Sequence, residues 1–152
     1  NILEMRNWQF EKILSSNFKL LYSYKSIKVF FKWNSFENIL IQSDLAISMS
    51  GTASEQAVGI SKPVIQIEGK GPQFTKVFAE AQRRLLGQHV YCLTNYSNKI
   101  DQINGTINLI IKILYLIKLD NTFLKSCKDN AKKRLGDKDA TAKIISDMEK
   151  FF

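Results

Sequence analysis

The stretch from Asp44 to Ile67 constrains the fold more than any other part of the chain. Asp44-Leu-Ala-Ile-Ser-Met49 is a short apolar run that ends in Ser50-Gly51, the pattern of a strand entering a turn. Thr52-x-x-Glu55 follows with the spacing of a capping box, in which the hydroxyl and the carboxylate each take one orphan backbone N–H, and it predicts a helix over Thr52 to Val58. Gly59 stands where a helix end favours positive φ, Lys62-Pro63 forbids continuation, and Val64-Ile-Gln-Ile67 reads as the next strand. A strand, a short helix and a second strand within about 25 residues form a βαβ unit, which requires a parallel sheet with helices on its faces. The fold class is α/β.

Further elements extend this unit in both directions. Ile27 to Trp33 reads as a strand, with Ser35 as N-cap of a helix that carries Phe36, Ile39 and Leu40. Gly69-Lys-Gly-Pro72 is a loop, and Phe74 to Leu86 has the apolar spacing of an amphipathic helix closed by Gly87. Val90 to Leu93 is another strand. Beyond it, Asn104, Asn108, Lys112, Tyr115 and Lys118 share one polar stripe, which leaves a wide apolar face and predicts a mostly buried helix. Asn121 to Leu135 and Ala140 to Phe151 are also helical, separated by Gly136-Asp-Lys-Asp139. With 152 residues, 45% of them hydrophobic, one domain over 1–152 with a mostly helical tail over 104–152 is the economical expectation.

Composition removes several function classes. Cys92 and Cys127 have no CxxC spacing and no histidine cluster, so neither a disulfide framework nor a metal site is expected, and cytoplasmic reduced thiols are the default. The net charge of +8 divides into +2, +3 and +3 over residues 1–50, 51–100 and 101–152, a spread that does not point to nucleic acid as a partner. The aromatic and basic residues from Trp8 to Trp33 carry no single-strand-binding signature and read as core aromatics. Leu109 to Leu119 is about half of the ~20 residues that a membrane span needs, and Lys112 and Lys118 interrupt it. The first residue is Asn1 rather than Met and no secretory signal pattern opens the chain, which together read as a piece of a longer protein.

The chemistry concentrates in Ser50-Gly-Thr-Ala-Ser-Glu-Gln56. A strand that ends in a small-residue turn and opens a helix points backbone N–H groups outward at the positive end of the helix dipole, where an anion can sit. Gly51 lets the anion approach, and Ser50 and Thr52 add hydroxyls; the plainer reading is that Thr52 and Glu55 only cap the helix. The Gly69-Lys-Gly71 loop is no Walker phosphate loop, because Val64 stands where the first Gly belongs and Gly71 where Ser or Thr must hold magnesium. His89, the single histidine, has no partners at triad spacing and reads as a surface or loop residue. Arg83-Arg84 reads as a solvated helix face.

The run from Ser43 to Ile65, continued by Gly69-Lys-Gly-Pro-Gln-Phe-Thr75 and Ala79-Glu-Ala-Gln82 and weakly by Arg134-Leu-Gly136, resembles the donor-binding half of GT-B glycosyltransferases. Within them it is similar to lipid-A-disaccharide synthase and its related proteins, over about residues 25–151 and most strongly over 43–87. The resemblance implies a Rossmann-like parallel sheet with flanking helices and a helical C-terminal tail, the C-terminal half of a GT-B fold. It implies an inactive half that binds a UDP-linked nucleotide-sugar, without catalytic residue, metal or cofactor of its own. Ser50, Gly51 and Thr52 match the turn that receives the diphosphate, and Gln73, Phe74 and Thr75 match the loop that approaches the diphosphate or sugar. The family's acidic ribose ligand falls on Gln56, with Glu55 one residue earlier, so both are candidates. The implied partners are the N-terminal domain that supplies acceptor and base and, through exposed cleft-facing apolar surface, a second copy of the chain. The implied location is cytoplasmic or peripheral at the inner membrane face. The alternative is a non-catalytic binding or interaction domain that keeps the fold without the donor.

Overall fold

The structure is a computed structural model that describes residues 6–11, 18–68, 71, 75–93, 96–136 and 139–151. The chain divides into two compact units, Asn1–Gln42 and Ser43–Phe152.

The first unit is an antiparallel meander of β1 (Gln9–Glu11), β2 (Phe18–Tyr24) and β3 (Ile27–Lys32), followed by helix α1 (Phe36–Gln42). The strand expected at 27–33 and the helix after Ser35 are present, but β3 pairs with β2 in this antiparallel sheet rather than with the parallel one. Alternation along the strands gathers rings on one face: Phe10 lies 5.3 Å from Tyr22, Tyr22 5.9 Å from Phe31, and Trp8 5.6 Å from Tyr24. Tyr22 on the central strand is buried, whereas Phe10, Tyr24, Phe31 and Trp33 are exposed. The expectation of core aromatics is thus corrected: strand pairing alone buries the central ring, and the outer rings stay open.

The second unit holds the parallel sheet. Strands β4 (Ala46–Ser48), β5 (Val64–Ile67) and β6 (Val90–Leu93) lie in the order β4-β5-β6, all parallel, and are linked by helices α2 (Gly51–Gly59) and α3 (Lys76–Leu86). This is an α/β unit of Rossmann-like topology, followed by α4 (Lys99–Leu119), α5 (Asn121–Leu135) and α6 (Ala140–Glu149), the last of these exposed over 141–149. Val64, Ile65 and Gln66 are all buried, as a central strand covered on both faces requires. On one face Gln66 and Cys92 reach α2 and α3, through Gln66 Nε2 to Ser54 Oγ at 2.9 Å and Cys92 Sγ to the Ala79 carbonyl at 2.9 Å. On the other, Ile65 packs with Ile113 of α4 and with Phe123 and Cys127 of α5. Asp120 ends α4 and caps α5, accepting from the Thr122 N–H at 2.8 Å, which makes the turn between them sharp.

Two local expectations are corrected. Helix α2 does not turn at Gly59; Ile60 is the C-cap, and the positive φ falls on Ser61, at 65°. Ser61 N–H donates to the Val58 carbonyl and Lys62 N–H to the Ala57 carbonyl, the paired bonds of a Schellman ending, so hydrogen bonds hold a non-glycine residue in the left-handed region. The second correction concerns α4, in which Ile113 is buried while Ile100, Ile103, Ile107, Ile111 and Leu114 are exposed. The reason is angular: at about 100° per residue, Leu109, Ile110, Leu116 and Ile117 lie within about 60° of Ile113 and pack with it, while the exposed residues form a stripe about 80–160° round the helix, turned away from the sheet. One sheet covers only part of so wide an apolar arc. Among the described residues, α4 is the one helix long and apolar enough to cross a membrane by length and composition.

Candidate functional site

The carboxyl ends of β4 and β5 carry most of the residues to which the sequence assigns chemistry. Ser48, the last residue of β4, is buried and accepts from the Ser50 N–H at 3.2 Å while its hydroxyl donates to the Ser50 carbonyl at 3.0 Å. This small ring fixes the turn, so that Ser50 becomes the N-cap of α2 and its Oγ accepts from the Ala53 N–H at 3.4 Å. The capping box expected from Thr52 and Glu55 is therefore corrected: the cap lies two residues earlier, and its third helical position is Ala53. Glu55, one turn further in, makes no hydrogen bond or ion pair among the described residues.

The consequence is a helix start whose first donors have no acceptor among the described residues. The Gly51 and Thr52 amides occupy the first two helical positions, where no carbonyl one turn back exists to receive them. Thr52 and Gln56, four residues apart, lie on one exposed stripe opposite the buried Ser54, Ala57 and Val58. Glu55 is rotated about 100° from Gln56, towards the packed side, and is half-buried. Thr75 caps α3 with its Oγ1, which accepts from the Phe78 N–H at 3.2 Å. Ser48, Gln66, Thr75 and Phe78 line one cleft of about 10 Å3, room for about one water. The structure thus brings Ser50, Gly51, Thr52 and Thr75 to one end of the sheet. Gln73 and Phe74 lie outside the described residues.

Ser54 and three buried acceptors have no role in the sequence reading. Ser54 is fully buried, donates to the Ser50 carbonyl at 2.8 Å and receives Gln66 Nε2 at 2.9 Å, tying the helix start to the central strand. Gln66 Oε1, Glu68 Oε1 and Gln82 Oε1 are buried acceptors without a partner among the described residues. Such groups are costly unless a donor reaches them, so they call for a water or for ligand hydroxyls. The available signal is Gln66 itself, a polar residue inside the apolar run Val64-Ile-Gln-Ile67. Replacing Ser54 by Ala leaves Gln66 Nε2 buried without an acceptor, and we expect a loss of about 1–3 kcal/mol in chemical denaturation. An unchanged midpoint would remove Ser54 from this role.

The remaining candidates are not nucleophiles or metal ligands. Burial pushes the Cys92 and Cys127 thiols up to about 11, so both are protonated at neutral pH. No group of three or more potential metal ligands occurs among the described residues. Glu80 chelates Arg83 at 2.7 and 2.9 Å and meets Arg84 at 3.3 Å; the Arg83 hydrogen bonds lower its carboxyl to about 2, and the two arginines stay on a solvated face as expected.

His89 departs from the surface reading: it is buried, with Nε2 at 3.0 Å from Ser126 Oγ, its ring edge-on to Phe123 and its Nδ1 without a partner. Desolvation lowers its pKa from the ordinary 6.5, so the folded ring is neutral where the unfolded ring takes up a proton. Its contribution to stability is complete above pH 6.5 and is lost as the pH falls through the folded value. The melting temperature of the wild-type chain should therefore drop below pH 6.5 more steeply than that of His89→Gln. Parallel curves would contradict the burial of a neutral ring.

No protein family, curated protein or solved structure matches this chain.

Proposed function

We infer that residues 43–152 are the donor half of a glycosyltransferase, binding the diphosphate of a UDP-sugar at the start of α2. The observation that carries this reading is the pair of unclaimed amides, Gly51 and Thr52, at the carboxyl end of β4 and the positive end of α2. In an open parallel sheet, ligands bind at this end of the strands. Thr75 lines the same end, beside the one-water cleft at Gln66. The chain's own contribution to transfer would be electrostatic: fixed amides and a helix dipole favour negative charge developing on the departing diphosphate. Acceptor and general base belong to the N-terminal half, so this half alone transfers no sugar. The exposed apolar stripe of α4 offers a surface to that half or to a second copy of the chain.

A non-catalytic domain that keeps the fold is the second reading, favoured by Gln56 where the family has an acid and by a cleft of only about 10 Å3. Two variants discriminate. Gln56 shares the exposed stripe with Thr52, so Gln56→Ala should weaken UDP in calorimetry by the worth of a neutral hydrogen bond, about 0.5–1.5 kcal/mol, with the melting temperature unchanged. Because Glu55 is free of any cap, Glu55→Ala should leave both nearly as they are. Absence of UDP binding in the wild-type chain supports the second reading instead.

A further inference from the structure

Gln88 and His89 lead into β6, whereas Ser50 follows β4; because the strands are parallel, these residues lie at opposite ends of the sheet. At the Gln88 end a cleft of about 330 Å3 opens against α5, lined by Gln88, Ser126, Asp129, Asn130, Lys133 and Arg134. That volume is at the lower end of the range of small-ligand clefts, ~300–1,000 Å3, while the lining differs from the usual apolar one. Every lining side chain is polar.

Several of these groups are held in place from behind. Asn130 is buried and donates Nδ2 to the Leu86 carbonyl at 2.9 Å, and Arg134 donates Nη1 to the Arg84 carbonyl at 3.3 Å, which leaves its other donors unused. Ser126 and Gln88 both rest on the buried His89, at 3.0 and 3.3 Å. By contrast, Asp129 and Lys133 stand one helical turn apart yet form no ion pair or hydrogen bond among the described residues. The cleft therefore presents two cations, amide and hydroxyl groups, and one carboxylate that is free to accept. An inorganic anion would leave Asp129 facing like charge, and a neutral sugar would leave Lys133 and Arg134 unmatched. A ligand with an anionic end and hydroxyls satisfies both.

We propose that this cleft is a second small-molecule site that binds a sugar monophosphate, with Lys133 and Arg134 on the phosphate and Asp129 on a hydroxyl. It is independent of the nucleotide-sugar reading. The test is a nuclear magnetic resonance titration of the 152-residue chain with glucose 6-phosphate and ribose 5-phosphate, and with inorganic phosphate and glucose in separate arms. At least one sugar phosphate should saturate, shifting the Gln88 and Asn130 side-chain amides and the His89 ring, and should bind at least tenfold more tightly than phosphate or glucose. Lys133→Ala should weaken it at least tenfold, and Asp129→Asn should bring it to within a fewfold of inorganic phosphate; both residues are exposed, so the fold survives either change. The proposal is overturned if neither sugar phosphate saturates these signals, if inorganic phosphate binds as tightly, or if Lys133→Ala binds as wild type.

Discussion

Gly87→Ala should destabilise the chain by about 3 kcal/mol or more, an unusually large effect for one added methyl group. Two costs combine. Gly87 sits at φ 95° and ψ −165°, a region that is essentially confined to glycine and costs an L-residue about 1–3 kcal/mol. A Cβ there would also run into Asn130 Oδ1 and stand 3.0 Å from Asn130 Cγ and 3.1 Å from Arg134 Nε. Asn130 would have to give up its bond to the Leu86 carbonyl, leaving a buried amide unsatisfied at about 1–3 kcal/mol more. Gly136 supplies the control, with nearly the same backbone, φ 80° and ψ −172°, and nothing within 4 Å of the added atom. Gly136→Ala should therefore cost the strain alone. Equal losses for the two variants in urea denaturation would show that the contact with Asn130 contributes nothing.

Gly51→Val should abolish UDP binding and cost about 1–3 kcal/mol through overpacking. A Cβ at Gly51 meets Phe78 Cζ at 3.3 Å and Gln82 Nε2 at 3.4 Å, so one methyl is tight and the two further carbons of Val have no room. Gly51 is present because α2 and α3 approach closely here, as much as for any ligand. Its φ is not positive, so Gly51→Ala carries no backbone strain, and both contacts are far ends of side chains that can yield. Gly51→Ala should fold nearly as wild type and bind UDP less tightly. Wild-type affinity in folded Gly51→Val would take the diphosphate away from this turn.

Local rules read the second unit well because Gly, Pro and two distinct periodicities punctuate it. The strand, turn, helix and strand over 44–67, the helix closed by Gly87, the strand at Val90–Leu93 and the C-terminal helices all follow from neighbours along the chain. Apart from the cap of α2, what was illegible depends on residues far apart. Ser50 and Thr52 are equally able to cap, and the choice fell to Ser50 because Ser48 at the end of β4 receives its N–H. His89 looks exposed until α5 brings Ser126, 37 positions later, against its ring. The exposed stripe of α4 reflects how much of its wide apolar arc finds a partner, which hydrophobic periodicity does not contain. Strand β2 carries the alternation Phe18, Leu20, Tyr22, Tyr24, which the sequence reading leaves unused, while the three residues of β1 are too few to show a period and their place depends on pairing with β2.

We propose the start of α2 as the diphosphate site of a UDP-sugar domain. Its most direct test is a titration of the isotope-labelled chain with UDP, and with ADP as control, while following the Gly51, Thr52 and Thr75 amides. Saturable shifts are expected at these amides with UDP, and much weaker ones with ADP. No saturation with UDP, or saturation that leaves Gly51 and Thr52 unmoved, would contradict it.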